Sequence, residues 1–123
     1  MIKHKVLIVD DSPVVLEGSA IILEEAGFEV VTLDNPLSVA HAVRKENPQV
    51  LLIDLNMPTL NGATVVKILG QRDAGRRTKV VLYSDAPVDQ LRRVANECGA
   101  DGYIQKTMNE ADLISQVRSL VEC

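Results

Sequence analysis

Short runs of β-branched and aliphatic residues alternate along the whole chain with longer segments whose apolar residues recur at helical spacing, and this alternation restricts the fold more than any other feature. Five strand-then-helix units can be read, with strands expected at Lys5–Val9, Glu29–Leu33, Val50–Ile53, Lys79–Tyr83 and Gly102–Gln105. Between them lie helices of about three turns each. Ser12-Pro13 and Asn35-Pro36 each place a side-chain acceptor at the N-cap and a proline at the first helical position, so both read as helix starts. Leu16, Ala20 and Leu23 form one stripe of the first helix, Gly27 supplies its left-handed stop, and Asn47-Pro48 ends the second. Val88, Leu91, Ala95 and Cys98 share a face of the fourth helix, so Cys98 reads as a small core residue. Asn109, with Asp112 three residues on, caps the last helix, which buries Leu113, Val117 and Leu120.

Strict alternation with right-handed crossovers gives a doubly wound α/β fold, a five-stranded parallel sheet with helices on both faces. Of the two common strand orders, the flavodoxin-like 2-1-3-4-5 is taken as the expectation; the pattern alone does not choose between them. A chain of 123 residues is the ordinary size of one domain, so residues 1–123 are read as a single unit, without linker or internal repeat. With one Phe, two Tyr and no Trp, its core must be aliphatic, which suits strands buried on both faces.

Composition also excludes function classes. A net charge of −4 and the scarcity of aromatic residues argue against a nucleic-acid partner, which needs clustered cations and stacking platforms. No apolar stretch approaches the roughly 20 residues that span a bilayer, and the start lacks the pattern of an export signal, so no membrane association is expected and a cytoplasmic location is. Cys98 and Cys123 lie far apart with no metal-ligand spacing, and neither a zinc site nor a disulfide framework is signalled. Neither GxGxxG nor GxxxxGK[ST] occurs, which weakens any nucleotide-enzyme reading.

The chemistry gathers at strand ends. Asp10 and Asp11 leave the first strand and Asp54 leaves the third; if those strands are neighbours, three carboxylates meet where doubly wound sheets bind ligands. Acids so close repel one another, and a hard divalent cation, Mg²⁺ above all, is the natural way to join them. Ser84 ends the fourth strand and Lys106 follows the fifth, adding a hydroxyl and an ammonium to the same rim. Such a set suits phosphoryl transfer to a carboxylate. Taken singly, Asp-Asp-Ser-Pro is a loop and helix cap, Ser84 a turn hydroxyl and Lys106 a solvated charge; their joint placement at successive strand ends favours the functional reading.

With Asp10-Asp11, then Asp54-Leu55-Asn56-Met57-Pro58 and Gly62, then Ser84, then Tyr103 and Lys106, the whole chain resembles the receiver domains of bacterial response regulators. The resemblance implies that Asp54 accepts a phosphoryl group from a sensor histidine kinase or histidine phosphotransfer protein. It implies that Asp10, Asp11, Asp54 and the main-chain carbonyl of Asn56 hold Mg²⁺, and that Ser84 and Lys106 contact the phosphoryl group. It also implies that Tyr103 turns inward when Ser84 moves, changing the face made by the fourth helix, fifth strand and fifth helix for a downstream effector. Such a domain is a signalling module, catalysing only its own phosphorylation and dephosphorylation.

Two positions depart from the family pattern: Asp85 stands where a small residue is usual, and Thr107 where Pro is usual. The extra acid puts the phosphoryl lifetime in question, and a trans Lys106–Thr107 bond is expected because a cis bond before Thr costs roughly 3–4 kcal/mol. The same departures motivate an alternative, a receiver-like interaction domain that uses no phosphate. A Mg²⁺-dependent phosphatase is a third reading, for which no cap domain or substrate pocket is evident. Arg76, Arg77 and Lys79 beside the fourth strand read as solvated, and Arg92 and Arg93 on the fourth helix as solvated or as partner contacts.

Overall fold

The computed structural model describes residues 3–57, 61–72, 78–106 and 109–122, with the side chains of 70–72 left aside. Along the chain run β1 (Lys5–Val9), α1 (Pro13–Glu25), β2 (Glu29–Leu33), a 3₁₀ turn (Pro36–Ser38), α2 (Val39–Glu46), β3 (Val50–Ile53), α3 (Gly62–Arg72), β4 (Lys79–Ser84), α4 (Val88–Cys98), β5 (Gly102–Gln105) and α5 (Glu110–Val121). All strand pairs are parallel, in the order β2-β1-β3-β4-β5. The expected fold class and strand order therefore hold.

Strand periodicity divides the core in two. Side chains alternate across a strand, so Leu7, Val9, Leu51, Ile53, Val80 and Leu82 face α2, α3 and α4, while Val6, Ile8, Val50, Leu52, Val81 and Tyr83 face α1 and α5. Every residue from Val50 to Ile53 is fully buried, which is why β3 is apolar without interruption. Each buried Leu or Ile contributes about 1.5–3 kcal/mol relative to exposure.

The local signals explain most boundaries. Ser12 Oγ accepts from Val15 N at 3.4 Å, and Asn109 Oδ1 accepts from Asp112 N at 2.9 Å, so both expected caps form. Gly27, at φ 100°, donates from its N to Glu24 O, and Asn47, at φ 48°, turns the chain out of α2.

Three expectations need correction. Asn35-Pro36 opens a 3₁₀ turn, because Asn35 Oδ1 takes Leu37 N at 3.0 Å while Ser38 N closes back on Asn35 O at 3.2 Å, leaving α2 with eight residues. β4 runs one residue further, to Ser84, because Ser84 still pairs with Gln105. Val88 is 39% exposed rather than buried: it starts α4 at the open end, and the packed stripe is Leu91, Val94, Ala95 and Cys98. Arg76, Arg77 and the Lys106–Thr107 bond lie outside the described residues.

One close approach fixes the start of α3 against β3. Gly62 N donates to Leu55 O at 2.9 Å, and a Cβ at Gly62 would run into the main-chain carbonyl of Asp54, with Leu55 Cα at 3.0 Å. Backbone cannot yield as a flexible side chain does. Gly62→Ala is therefore expected to lower the unfolding free energy by about 1–3 kcal/mol despite the better helix propensity of Ala. Urea denaturation measures it, and an unchanged midpoint would contradict the close approach.

Candidate functional site

The neighbouring ends of β1 and β3 bring Asp10 and Asp54 together. The ladder pairs Val9 with Ile53; beyond it Asp10 N donates to Leu33 O at 3.1 Å and Asp54 N to Val9 O at 3.0 Å. Both carboxylates leave fixed backbone, and both residues are buried, Asp10 at 1% and Asp54 at 6% exposure. Asp11, the next residue, is exposed at the rim, and one oxygen from each of the three acids lies within 4.8 Å of the others.

Lys106 reaches in from the end of β5. Its backbone N donates to Ser84 O at 2.8 Å, and its Nζ stands 2.6 Å from Asp10 Oδ2 and 3.2 Å from Asp54 Oδ1. The remaining polar contacts are local: Ser12 N donates to Asp10 Oδ1 at 2.9 Å and Asn56 N more loosely to Asp54 Oδ1 at 3.4 Å. Among the described residues this buried Asp10 Oδ2 has only the Lys106 ammonium beside it, so it gains charge stabilisation and keeps an uncommitted lone pair.

Electrostatics follow from this geometry. Burial pushes the Asp54 carboxyl above its usual range; the Lys106 ammonium pulls it down and Asp10 pushes it up, leaving it raised. Burial lowers Lys106, but the two carboxylates outweigh this and leave it raised, firmly an ammonium. Three carboxylates against one ammonium leave two formal negative charges in the site. That surplus, the all-oxygen donor set and the uncommitted lone pair of Asp10 fit a hard divalent cation.

The other expected residues line the same edge. Ser84 is fully buried, and its Oγ accepts from Ala86 N at 3.2 Å. Tyr103 is half-buried, with its hydroxyl accepting from Arg92 Nε at 3.3 Å; Arg92 is also paired with Asp89 at 3.4 Å. Asn56 is exposed and adjoins Asp54 through its N–H. Asp85 is exposed, while Cys98 is buried with Sγ 3.8 Å from Ala95 O, a packing residue as expected.

Sequence reasoning missed two neighbours of the site. Gln105 Nε2 donates to Ala86 O at 3.0 Å, tying β5 to the loop after Ser84. The Tyr83 ring lies 5.8 Å from Lys106 Nζ, and its hydroxyl shares a 2.8 Å hydrogen bond with the buried Ser19 Oγ of α1. The available signal was a polar Ser inside an apolar helical stripe and a phenol inside an aliphatic strand.

Comparison with known proteins decides what this edge belongs to: the model of the response regulator receiver domain matches residues 6–118. The chain belongs to that family. Phosphorylation-dependent switching is the standard function of receiver domains. Among curated relatives, the DNA-binding response regulator MtrA of Mycolicibacterium smegmatis is 30% identical over 117 residues, covering 95% of this chain and 50% of that protein. The transcriptional regulatory protein CseB of Streptomyces avermitilis is 31% identical, over 94% of this chain and 48% of its own length. This receiver domain thus spans about half the length of the curated relatives it matches. Among solved structures, the BeF3-activated N-terminal receiver domain of Klebsiella pneumoniae RstA superposes with a TM-score of 0.88 at 26% identity, covering 98% of this chain and 100% of that one. The chemotaxis response regulator CheY4 of Vibrio cholerae, at 24% identity, a TM-score of 0.86 and coverage of 97% and 99%, shares the fold.

The raised pKa of Asp54 carries a stability consequence. A carboxyl raised in the folded state destabilises the fold once it ionises, fully above the folded pKa and not at all below the unfolded value near 3.8. Asp54→Asn is therefore expected to stabilise the receiver domain at pH 7 in the presence of a chelator, with the gain fading as pH falls through the raised pKa. Denaturant titrations at several pH values test this, and an equal gain at pH 7 and at about pH 3 would contradict the desolvation of Asp54.

Proposed function

We propose that this receiver domain is a phosphorylation switch in which Asp54 is the phosphoacceptor. The observation that carries the reading is the buried Asp54 carboxylate with Lys106 Nζ at 3.2 Å and acceptor oxygens of Asp10 and Asp11 within 4.8 Å. An Asp54 oxygen attacks the phosphorus of the donor, forming a P–O bond to the carboxylate. The bond from phosphorus to the donor's leaving group breaks, and the leaving group departs with the electron pair; a histidine donor's imidazole takes any proton it needs from solvent, and acetate leaves as the anion. Lys106 neutralises charge on the transferred oxygens without a proton leaving it, as its raised pKa favours.

Mg²⁺ would be held by Asp10, Asp11, Asp54 and the Asn56 carbonyl, and when bound it supplies neutralisation of the phosphoryl oxygens that the acids would otherwise repel. Ser84 is the hydroxyl available to the transferred phosphoryl group. Its Oγ now accepts from Ala86 N, so turning toward a phosphoryl oxygen gives up that bond and moves the loop leading into α4. Tyr103 packs against the same core as Leu91 and Ala95 of α4, which makes it the aromatic side chain able to follow. The α4–β5–α5 face then carries the change to an effector.

The donor in this reading is a sensor histidine kinase or histidine phosphotransfer protein in the cytoplasm, and residues 1–123 act as one receiver unit. Among the described residues, no helix is long and apolar enough to cross a membrane. The beryllofluoride-activated RstA receiver supports the reading through a relative at 26% identity.

Acetyl phosphate with Mg²⁺ is expected to add the mass of one phosphoryl group to the protein. Intact mass spectrometry should show the addition lost in Asp54→Ala and on chelation. In Lys106→Ala, some labelling should persist without the accompanying amide shifts in α4 and β5. Undiminished labelling of Asp54→Ala would overturn the assignment, and no labelling of the unaltered protein would favour a phosphate-independent interaction domain.

A further inference from the structure

Tyr83 has no role in the reading above, yet it is built into the site from the opposite face of the sheet. It precedes Ser84 in β4, so the strand's period of two turns its ring away from α4 and toward α1, where it is 5% exposed beside Leu16 and Ile104. The ring is fixed at both ends. Its backbone pairs with Ile104 in the β4–β5 ladder, and its hydroxyl shares the buried 2.8 Å hydrogen bond with Ser19 of α1. An aliphatic residue would fill the same space and need no polar partner, whereas here α1 carries a buried serine that meets the phenol.

What this fixed ring touches is the ammonium of Lys106, whose Nζ lies 5.8 Å from the ring centroid, within reach of a cation–π contact. The Lys106 side chain is only 16% exposed, so the contact acts in a partly dry setting. Among the described residues Nζ also meets Asp10 and Asp54, the carboxylates assigned to the cation and the phosphoryl group. When both are so engaged, their hold on the ammonium weakens. The contacts that hold the ring run to Ser19 and Ile104 and involve neither carboxylate.

We propose that Tyr83 is a positioning residue for Lys106: anchored by Ser19, its ring keeps the ammonium at the site while Asp10 and Asp54 change partners. The inference rests on Asp54 being the phosphoacceptor. It distinguishes two parts of one side chain, the ring that bears on Lys106 and the hydroxyl that fixes the ring.

The test measures the rate of Asp54 labelling by acetyl phosphate with Mg²⁺, together with unfolding midpoints, in the full chain. Tyr83→Leu should slow labelling by roughly threefold or more, while Tyr83→Phe, which keeps the ring, should restore most of the rate. Ser19→Ala combined with Tyr83→Leu removes the orphaned hydroxyl and should label as slowly as Tyr83→Leu alone. In a Lys106→Ala background, Tyr83→Leu should cause no further slowing, because the residue through which it acts is gone; a general loosening of the fold would slow both backgrounds alike. Equal labelling of Tyr83→Leu and the unaltered protein, or equal slowing in both backgrounds, overturns the proposal.

A measurement on the unaltered protein guards against a variant that fails to fold. The ε-methylene protons of Lys106 should be shifted upfield by the ring in the free protein and with Mg²⁺ and beryllofluoride bound. Loss of that shift in the bound form overturns the proposal. Absence of Asp54 labelling in the unaltered protein would instead overturn the phosphoacceptor reading, and the shift in the free protein separates the two failures.

Discussion

The structure depends on the cost of holding two carboxylates out of water at the point where the central strands end. Asp10 and Asp54 are delivered there by a parallel ladder buried on both faces, so neither can retreat to solvent without breaking the sheet. A carboxylate in that position needs charge or hydrogen-bond compensation, because an unpaired buried ion costs several kcal/mol. Lys106 supplies part of it, and the negative charge that remains is the physical basis for proposing a cation at this edge. The site is thus left electrostatically unfinished.

The compensating lysine is held by the same logic of fixed backbone. Its amide closes on Ser84, so β5 cannot drift from β4 at the edge, while its side chain crosses to the acids. Around it the sheet divides the work between faces. On the α4 side, Ser84, Gln105, Tyr103 and Arg92 form hydrogen bonds that link the strand ends to a helix surface. On the α1 side, Tyr83 and Ser19 form a closed polar pair inside an aliphatic core. The first set runs from the strand ends to the start and surface of α4, and the second is enclosed within the core.

The sequence carried the fold and the acids plainly, for a physical reason. Strand ends in a doubly wound sheet are where side chains leave the core, so Asp10, Asp54, Ser84 and Lys106 could be placed at one rim from apolar runs alone, once β1 and β3 were taken as neighbours. Caps at Ser12 and Asn109 were legible because they are local. What could not be read depended on contacts between distant segments. A polar Ser19 in an apolar stripe marks a buried hydroxyl in need of a partner, but nothing near it names Tyr83, 64 residues away across the helix–sheet interface. Likewise, Val88 fits the helical period of α4 yet stands in its first turn and is 39% exposed. The short α2 escaped for a subtler reason: Asn35-Pro36 is a valid start for either kind of helix, and the 3₁₀ closure of Ser38 on Asn35 decides.

The hydrogen bond from Ala86 N to Ser84 Oγ has a consequence of its own. An amide exchanges its proton with water only when its acceptor lets go, and this acceptor is a hydroxyl on a single rotatable bond rather than a carbonyl locked in a ladder. The neighbouring amide of Lys106, bonded to Ser84 O, belongs to the strand pairing and opens only with it. Two amides that meet the same serine therefore report on different events. Isotope exchange at Ala86 follows the rotation of one side chain, and exchange at Lys106 follows the integrity of the sheet, so their ratio reads the orientation of Ser84 against an internal standard.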